Sequence, residues 1–210
     1  MIFKNAQEVF EFYYNEISKN GIDFDNTKTL FNQGFTISNP LDNNIDTEYR
    51  KWNPIYANRE WDWYLEGNPN AEEISTYAPI WKRMMDDKGN VRSNYGWQWK
   101  RNNQLDKVID KLKENNNTRQ AAISIYDGKE IDTYSKDTPC TYAVQFTILN
   151  NKLNMTVLMR SNDLWYGFCN DQYCFSKLQE LVSVKLDVEV GTYFHFAHNL
   201  HLYNNFLDKK

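Results

Sequence analysis

The residues able to do chemistry fall into a few short groups. Pro139-Cys140 stands at the entrance to a strand-like stretch and offers a thiol. Arg160-Ser161-Asn162-Asp163 stands at the exit of a later one and runs on to Gly167 and Asp171. His201-Leu202-Tyr203 lies near the end of the sequence, and Glu60 sits in a short aromatic segment. A thiol, a guanidinium and carboxyls are the parts of nucleophilic catalysis: the cation favours the thiolate and a carboxyl moves protons. Each group alone has an ordinary explanation. A cysteine opening a strand is usually a small buried hydrophobe, an arginine at a strand end a surface ion-pair partner, and Glu60 a solvated helix residue. His195, His198 and His201 are three apart but lack the H-E-x-x-H spacing and an acidic or thiolate partner set, so they read as packing or hydrogen-bonding residues, and no metal is expected. Cys169 and Cys174 are spaced too widely for a Cys-x-x-Cys pair and read as buried thiols.

The elements that must position these groups follow from periodicity. Ala6, Val9, Phe10, Tyr13 and Ile17 recur at helical spacing behind a capping Asn5, and Gly21 breaks the run. From Asp25 to Asp46 the composition turns to Asn, Asp, Thr, Gly and Pro around Leu30-Phe31 and Phe35-Thr36-Ile37, predicting short strands joined by loops. Arg59 to Glu66 predicts a short aromatic helix stopped by Gly67 and Pro69. Leu105, Val108, Ile109 and Leu112 predict another, ending at Asn115-Asn116-Asn117, with a Trp-rich loop between the two. Strands are expected at Ala121 to Tyr126, Tyr142 to Leu149 and Leu153 to Arg160, the last two joined by a turn at Asn150-Asn151-Lys152. In the third, Leu153, Met155, Val157 and Met159 alternate with polar or exposed partners, so one face is buried. A helix carrying Phe175, Leu178, Leu181 and Val182 follows, then one or two strands from Val188 to Tyr203. Helices and strands mix without a regular βαβ repeat, which gives an α+β fold in one domain, residues 1–210.

Composition narrows the function. The 210 residues are 41% hydrophobic and 16% aromatic, enough for one sizeable core. With 24 basic and 28 acidic side chains, a net charge of -4 offers no basic field for polymeric nucleic acid. No apolar run approaches the roughly 18 residues needed to cross a bilayer, and the start lacks a leader pattern. Three cysteines suit reduced thiols better than a disulfide framework, so a cytoplasmic setting is expected. No glycine-rich phosphate loop of the Walker or dinucleotide kind is present.

In order along the chain, these pieces resemble the thymidylate synthase superfamily from Arg59 to Tyr203. The resemblance rests on Arg59-Glu60-Trp61-Asp62-Trp63-Tyr64, Ile80-Trp81, Asn94-Tyr95-Gly96-Trp97-Gln98-Trp99, Thr118-Arg119, Pro139-Cys140, Gln145-Phe146, Arg160-Ser161-Asn162-Asp163, Gly167 and His201-Leu202-Tyr203. Within the superfamily the sequence is most similar to the deoxycytidylate hydroxymethylases of T-even phages, through Ser93-Asn94-Tyr95-Gly96-Trp97, Met159 to Asp163, Gly167-Phe168 and Asn170-Asp171.

The resemblance implies a mixed β-sheet flanked by helices, a sheet-mediated homodimer, and transfer of a one-carbon unit from 5,10-methylenetetrahydrofolate to carbon 5 of dCMP. Cys140 would attack carbon 6, its pKa lowered by Arg160, and Glu60 would activate the water that turns an exocyclic methylene into hydroxymethyl. Asp171 stands where uracil-reading relatives carry asparagine, and its carboxylate suits the amino group of cytosine; read locally, the same residue could instead cap the following helix. Arg160, Ser161 and a partner's Arg119 would hold phosphate, Asn170 would join the substrate-binding set, His201 and Tyr203 would meet the sugar, and Trp81, Asp163 and Gly167 would line the folate side. The sequence departs from the family where Arg119-Gln120 replaces an arginine pair, with Lys28 a candidate substitute, and where Thr141 replaces a histidine, a change the hydroxymethylases share. The stop at Lys210 is read as lacking the closing segment of methyl-forming members. A methylase acting on dCMP or dUMP and a non-catalytic nucleotide-binding subunit are the competing readings. Other nucleotide-synthesis enzymes of a phage are the expected further partners, in a host cytoplasm.

Overall fold

The computed structural model describes residues 1–134 and 137–210. In chain order they form β1 (Ile2–Phe3), α1 (Ala6–Asn20), β2 (Ile22–Phe24), β3 (Thr27–Ile37), α2 (Pro54–Glu66), α3 (Ile80–Met84), α4 (Tyr95–Lys100) and α5 (Gln104–Glu114). There follow β4 (Ala122–Ser124), β5 (Thr141–Leu149), β6 (Lys152–Met159), β7 (Asn162–Asp163), α6 (Cys169–Leu186) and β8 (Glu189–Tyr203). The strands make one mixed sheet in the order β1-β3-β8-β6-β5-β4, with β2 on β3 and β7 on β8, so the α+β architecture with flanking helices is as expected.

Local chemistry explains most boundaries. Asn5 accepts from the Glu8 amide at 3.0 Å, capping α1; Val9, Phe10, Tyr13 and Ile17 point into the core. Gly67 ends α2 in the left-handed conformation, φ 67°, which costs glycine least. The β5–β6 hairpin turns on Asn150 and Asn151, at φ 51° and 58°, a pairing suited to a tight turn of that hand; Lys152 already pairs with Leu149 in the ladder.

Two expectations change. The region from Asp25 to Asp46 holds one continuous strand, β3, where short pieces were expected: ladder pairing with β8 runs from Thr27↔Tyr203 to Ile37↔Tyr193 and overrides the polar composition. Asn32 stays in line at φ 56°, its side chain bonded to His198 at 2.9 Å. The stretch expected as a Trp-rich loop contains α3 and α4. Asn94 caps α4 by accepting from the Trp97 amide at 2.7 Å, and Trp99 is buried. Gly96 makes this possible, because a Cβ there would come within 1.8 Å of the Tyr64 carbonyl oxygen of α2. The segment from Val188 to Tyr203 forms a single strand.

Helices cover one face of the sheet, over Phe35, Met155, Val157, Tyr193 and His195, all buried. Alternate positions on the other face, including Leu158, Phe194, Phe196 and His198, are half-buried or exposed. Among the described residues no helix is long and apolar enough to cross a membrane.

Candidate active site

The turn before β5 and the exit of β6 meet. Cys140 stands just before β5, and Arg160 just after β6, and Arg160 donates its backbone amide to the Cys140 carbonyl at 2.8 Å. The guanidinium is fixed by the carbonyls of Pro139 (3.0 Å) and Thr138 (2.9 Å), and its Nη2 lies 3.7 Å from the Cys140 Sγ. The expected cation therefore sits beside the expected thiol. Arg160 acts on the thiol in the expected direction, but the net shift is the reverse of the expected one: burial pushes the Cys140 pKa up to about 11, Arg160 opposes this, and Asp171, Asp137 and Asp163 add to the rise. Enclosure among carboxyls outweighs one guanidinium that also serves two carbonyls.

Glu60 lies inside, 5% exposed, not solvated. Its Oε1 accepts from the Tyr64 hydroxyl at 2.7 Å, while its Oε2 is buried with no protein partner among the described residues. Burial raises its pKa, and the phenols of Tyr64 and Tyr56 pull it back. Tyr56 in turn accepts from the Trp81 indole at 2.9 Å.

Asp171 lies in the first turn of α6 and does not cap it. The helix continues directly from a wide turn, Leu164–Phe168, whose start is capped by Asp163: its two oxygens accept from the amides of Trp165 and Tyr166, both at 2.9 Å. The Asp171 side chain instead accepts from Asn162 Nδ2 at 2.8 Å. Its pKa is raised well above the ordinary carboxylate value by burial first and then by the charge of Glu60. Gly167 leaves room for this pair, since a Cβ there would come within 3.1 Å of Asn162 Nδ2 and 3.4 Å of Asp171 Oδ2.

The remaining expected residues divide. His201 pairs with Asp163 across β7 and β8; burial favours its neutral form, and Asp163 opposes that. Tyr203 stacks edge-on against His201 at 5.4 Å, and Ser161 is half-buried at the exit of β6. Asn170 is engaged within the chain, accepting from the Trp52 indole at 2.8 Å and donating to the Tyr166 carbonyl at 3.1 Å. Lys28 is not brought to His201 and Tyr203: those two pair with Thr29 and Thr27, and Lys28 opposite Leu202 belongs to the other face of the strand. Arg119 is exposed on the loop between α5 and β4. His195 and His201 share a face of β8 and His198 takes the other, as strand alternation dictates; Cys169 and Cys174 are buried thiols. Two residues outside the expected set face the same space. Tyr95 is held protonated by burial and by Asp171, beside Cys140. Asp137, accepting from the Ser93 amide at 2.8 Å, neighbours Arg160. Tyr95 lies in a motif already visible in the sequence, whereas nothing marks Asp137 in advance.

The comparisons with known proteins agree with this geometry. Residues 11–210 match the thymidylate synthase family. The chain is 32% identical over 166 residues to a deoxyuridylate hydroxymethyltransferase of Pseudomonas phage M6, covering 76% of this chain and 47% of that protein. It is 37% identical over 142 residues to the deoxycytidylate 5-hydroxymethyltransferase of Enterobacteria phage T4, covering 62% and 57%. It is 30% identical over 210 residues to a thymidylate synthase of Wigglesworthia glossinidia brevipalpis, covering 93% and 78%. The chain thus belongs to the thymidylate synthase family. It spans about half the length of the phage hydroxymethyltransferases that it matches.

Proposed function

We propose that the protein is a deoxycytidylate 5-hydroxymethyltransferase. The observation that carries this reading is a pair of buried carboxyls, Glu60 and Asp171, each within electrostatic reach of the other, with Asp171 also acting on the Cys140 thiol. Carbon 5 of a pyrimidine is a poor nucleophile; addition of the Cys140 sulfur to carbon 6 moves the ring electrons onto carbon 5, which then bonds the incoming carbon. 5,10-Methylenetetrahydrofolate supplies that carbon at the oxidation level of formaldehyde. Trp81, half-buried, Gly167 and the Asp163 carboxyl would line its side; an acceptor and an aromatic surface fit a pterin's N–H groups and ring.

After carbon 5 loses its proton and tetrahydrofolate departs with the electrons of its bond to the transferred carbon, an exocyclic methylene remains; Glu60 then takes a proton from water as the water oxygen bonds that methylene. The displaced electrons restore the ring double bond and expel the Cys140 thiolate. The free Oε2 of Glu60 is available to that water. Arg160, fixed beside the sulfur, stabilises the thiolate as it leaves and returns. Asp171 meets the amino edge of cytosine, and Thr141 in place of a histidine suits water capture. Arg160, Ser161 and a second subunit's Arg119 hold the phosphate, and His201 and Tyr203 meet the sugar. A homodimer through the uncovered face of the sheet is part of this reading, since Arg119 lies apart from Cys140 in its own chain.

Deoxyuridylate is the second reading. It is supported by the similarity to phage deoxyuridylate hydroxymethyltransferases, and a protonated Asp171 carboxyl, a donor as well as an acceptor, can pair with either base edge. The deciding experiment incubates the protein with methylenetetrahydrofolate and equal dCMP and dUMP, then follows the nucleotides by mass spectrometry. A hydroxymethyl group confined to the cytosine nucleotide, absent with Cys140→Ala, is expected. Hydroxymethyl-dUMP selects the second reading, and a methyl product or no product rejects both. Asp171→Asn is expected to turn preference toward dUMP by tenfold or more, on the order of one hydrogen-bond mismatch; unchanged preference would remove Asp171 from base reading.

A further inference from the structure

Two carboxyls enclosed together cannot both ionise cheaply; Glu60 and Asp171 are both buried, burial raises both pKa values, and the charge of Glu60 raises that of Asp171 further. The hydrogen bonds around them are unequal. Glu60 Oε1 receives the Tyr64 hydroxyl at 2.7 Å, and the neighbouring Tyr56 phenol also pulls the Glu60 pKa down. Tyr56 already accepts from the Trp81 indole at 2.9 Å, which leaves its own proton free to turn toward Glu60. Asp171 has one donor, Asn162 Nδ2 at 2.8 Å on its Oδ2. Besides the two phenols on α2, the titratable groups bearing on this pair are Cys169 and Cys174 on α6, Cys140, Asp163, Tyr95 and Tyr193.

We propose that Tyr64 and Tyr56 are positioning residues that make Glu60 the ionised member of the pair and leave the proton on Asp171. This rests on the reading of the site as a pyrimidine pocket and adds to it a division of labour between two residues of one type. Glu60, held through Oε1 by Tyr64, offers Oε2 as a base. Asp171, accepting from Asn162 at Oδ2, carries its proton on Oδ1 and offers the base edge one donor and one acceptor. Cytosine, with an acceptor at nitrogen 3 and a donor at its amino group, is matched by that pattern. The phenols favour the charged form because an O–H donated to a carboxylate is stronger than one donated to a carboxylic acid. Environments that separate the titrations of two like groups are a recurrent way of assigning acid and base roles.

The test is an infrared titration of the isotope-labelled, nucleotide-free protein, with Glu60→Gln and Asp171→Asn assigning the two carboxyl bands. At neutral pH the Glu60 band is expected as carboxylate and the Asp171 band as carboxylic acid. In Tyr64→Phe, which keeps the ring and removes the donor, the Glu60 titration is expected to move to higher pH by about one unit and the Asp171 titration to lower pH. Tyr56→Phe is expected to act in the same direction independently. Where turnover is measurable, the acid limb of its pH profile moves upward in both variants. An ionised Asp171 in the unaltered protein, or titrations unmoved in both variants, overturns the proposal. The titration needs no substrate, so absence of a hydroxymethyl product counts against the proposed function alone.

Discussion

At the scale of single residues, the thiol is held in reserve. With the Cys140 pKa pushed up to about 11, roughly a thousandth of it is thiolate at pH 8. In the nucleotide-free protein, alkylation of Cys140 is therefore expected to keep accelerating with pH past the range where a free cysteine levels off. The folded thiol loses its proton only as pH rises through the raised value. Arg160→Ala removes the neighbour that, among the described residues, favours the thiolate and should slow alkylation further at every pH. A plateau below pH 9 would contradict the geometry around Sγ. The sequence already carried Cys140, Arg160 and Asp171, because their types and order are chemical. It did not carry the sign of the thiol's perturbation, which comes first from burial and then from Asp171, Asp137 and Asp163 against Arg160, an enclosure that only folding creates.

At the scale of elements, the site depends on how closely α4 lies on α2. Gly96→Ala puts a methyl where the Tyr64 carbonyl stands, and is expected to cost about 1–3 kcal/mol by thermal unfolding and to displace the Glu60–Tyr64 bond with it. A variant with unchanged melting and unchanged activity would mean that the two helices separate freely. The strongly patterned elements were legible: α1 from its cap and apolar spacing, α5 from its stripe, β6 from alternation. What misled was composition without period. Asn32 and Gly34 made β3 read as broken, but pairing with β8 on one side and with β1 and β2 on the other holds it straight. The aromatic stretch around Trp97 showed no helical stripe because α4 has buried residues on nearly every side; its signal was the capping Asn94. Asp171 had two readings until the wide turn before α6 left no cap for it to provide.

At the scale of the whole molecule, the uncovered sheet face carries Phe194, Phe196 and Leu158 in the single chain, apolar side chains of the kind that mark an interface when they cluster. If the proposed homodimer forms through this face, a charge at its centre, Phe196→Asp, is expected to yield a monomer by light scattering and to abolish turnover, since the proposed phosphate contact from Arg119 of a second subunit would be lost. A fully active monomer would separate that arginine from the reaction. The sheet also has a history written into its order. β8, nearly last along the chain, lies between β3 and β6, and carries His201 and Tyr203. During synthesis one edge of β3 stays open until β6 and α6 have been made, and His201 and Tyr203 take their places only when β8 enters between its neighbours. Such long-range pairing is slow to form and exposes unpaired backbone meanwhile, which leaves a newborn chain of this topology open to aggregation until β8 is in place.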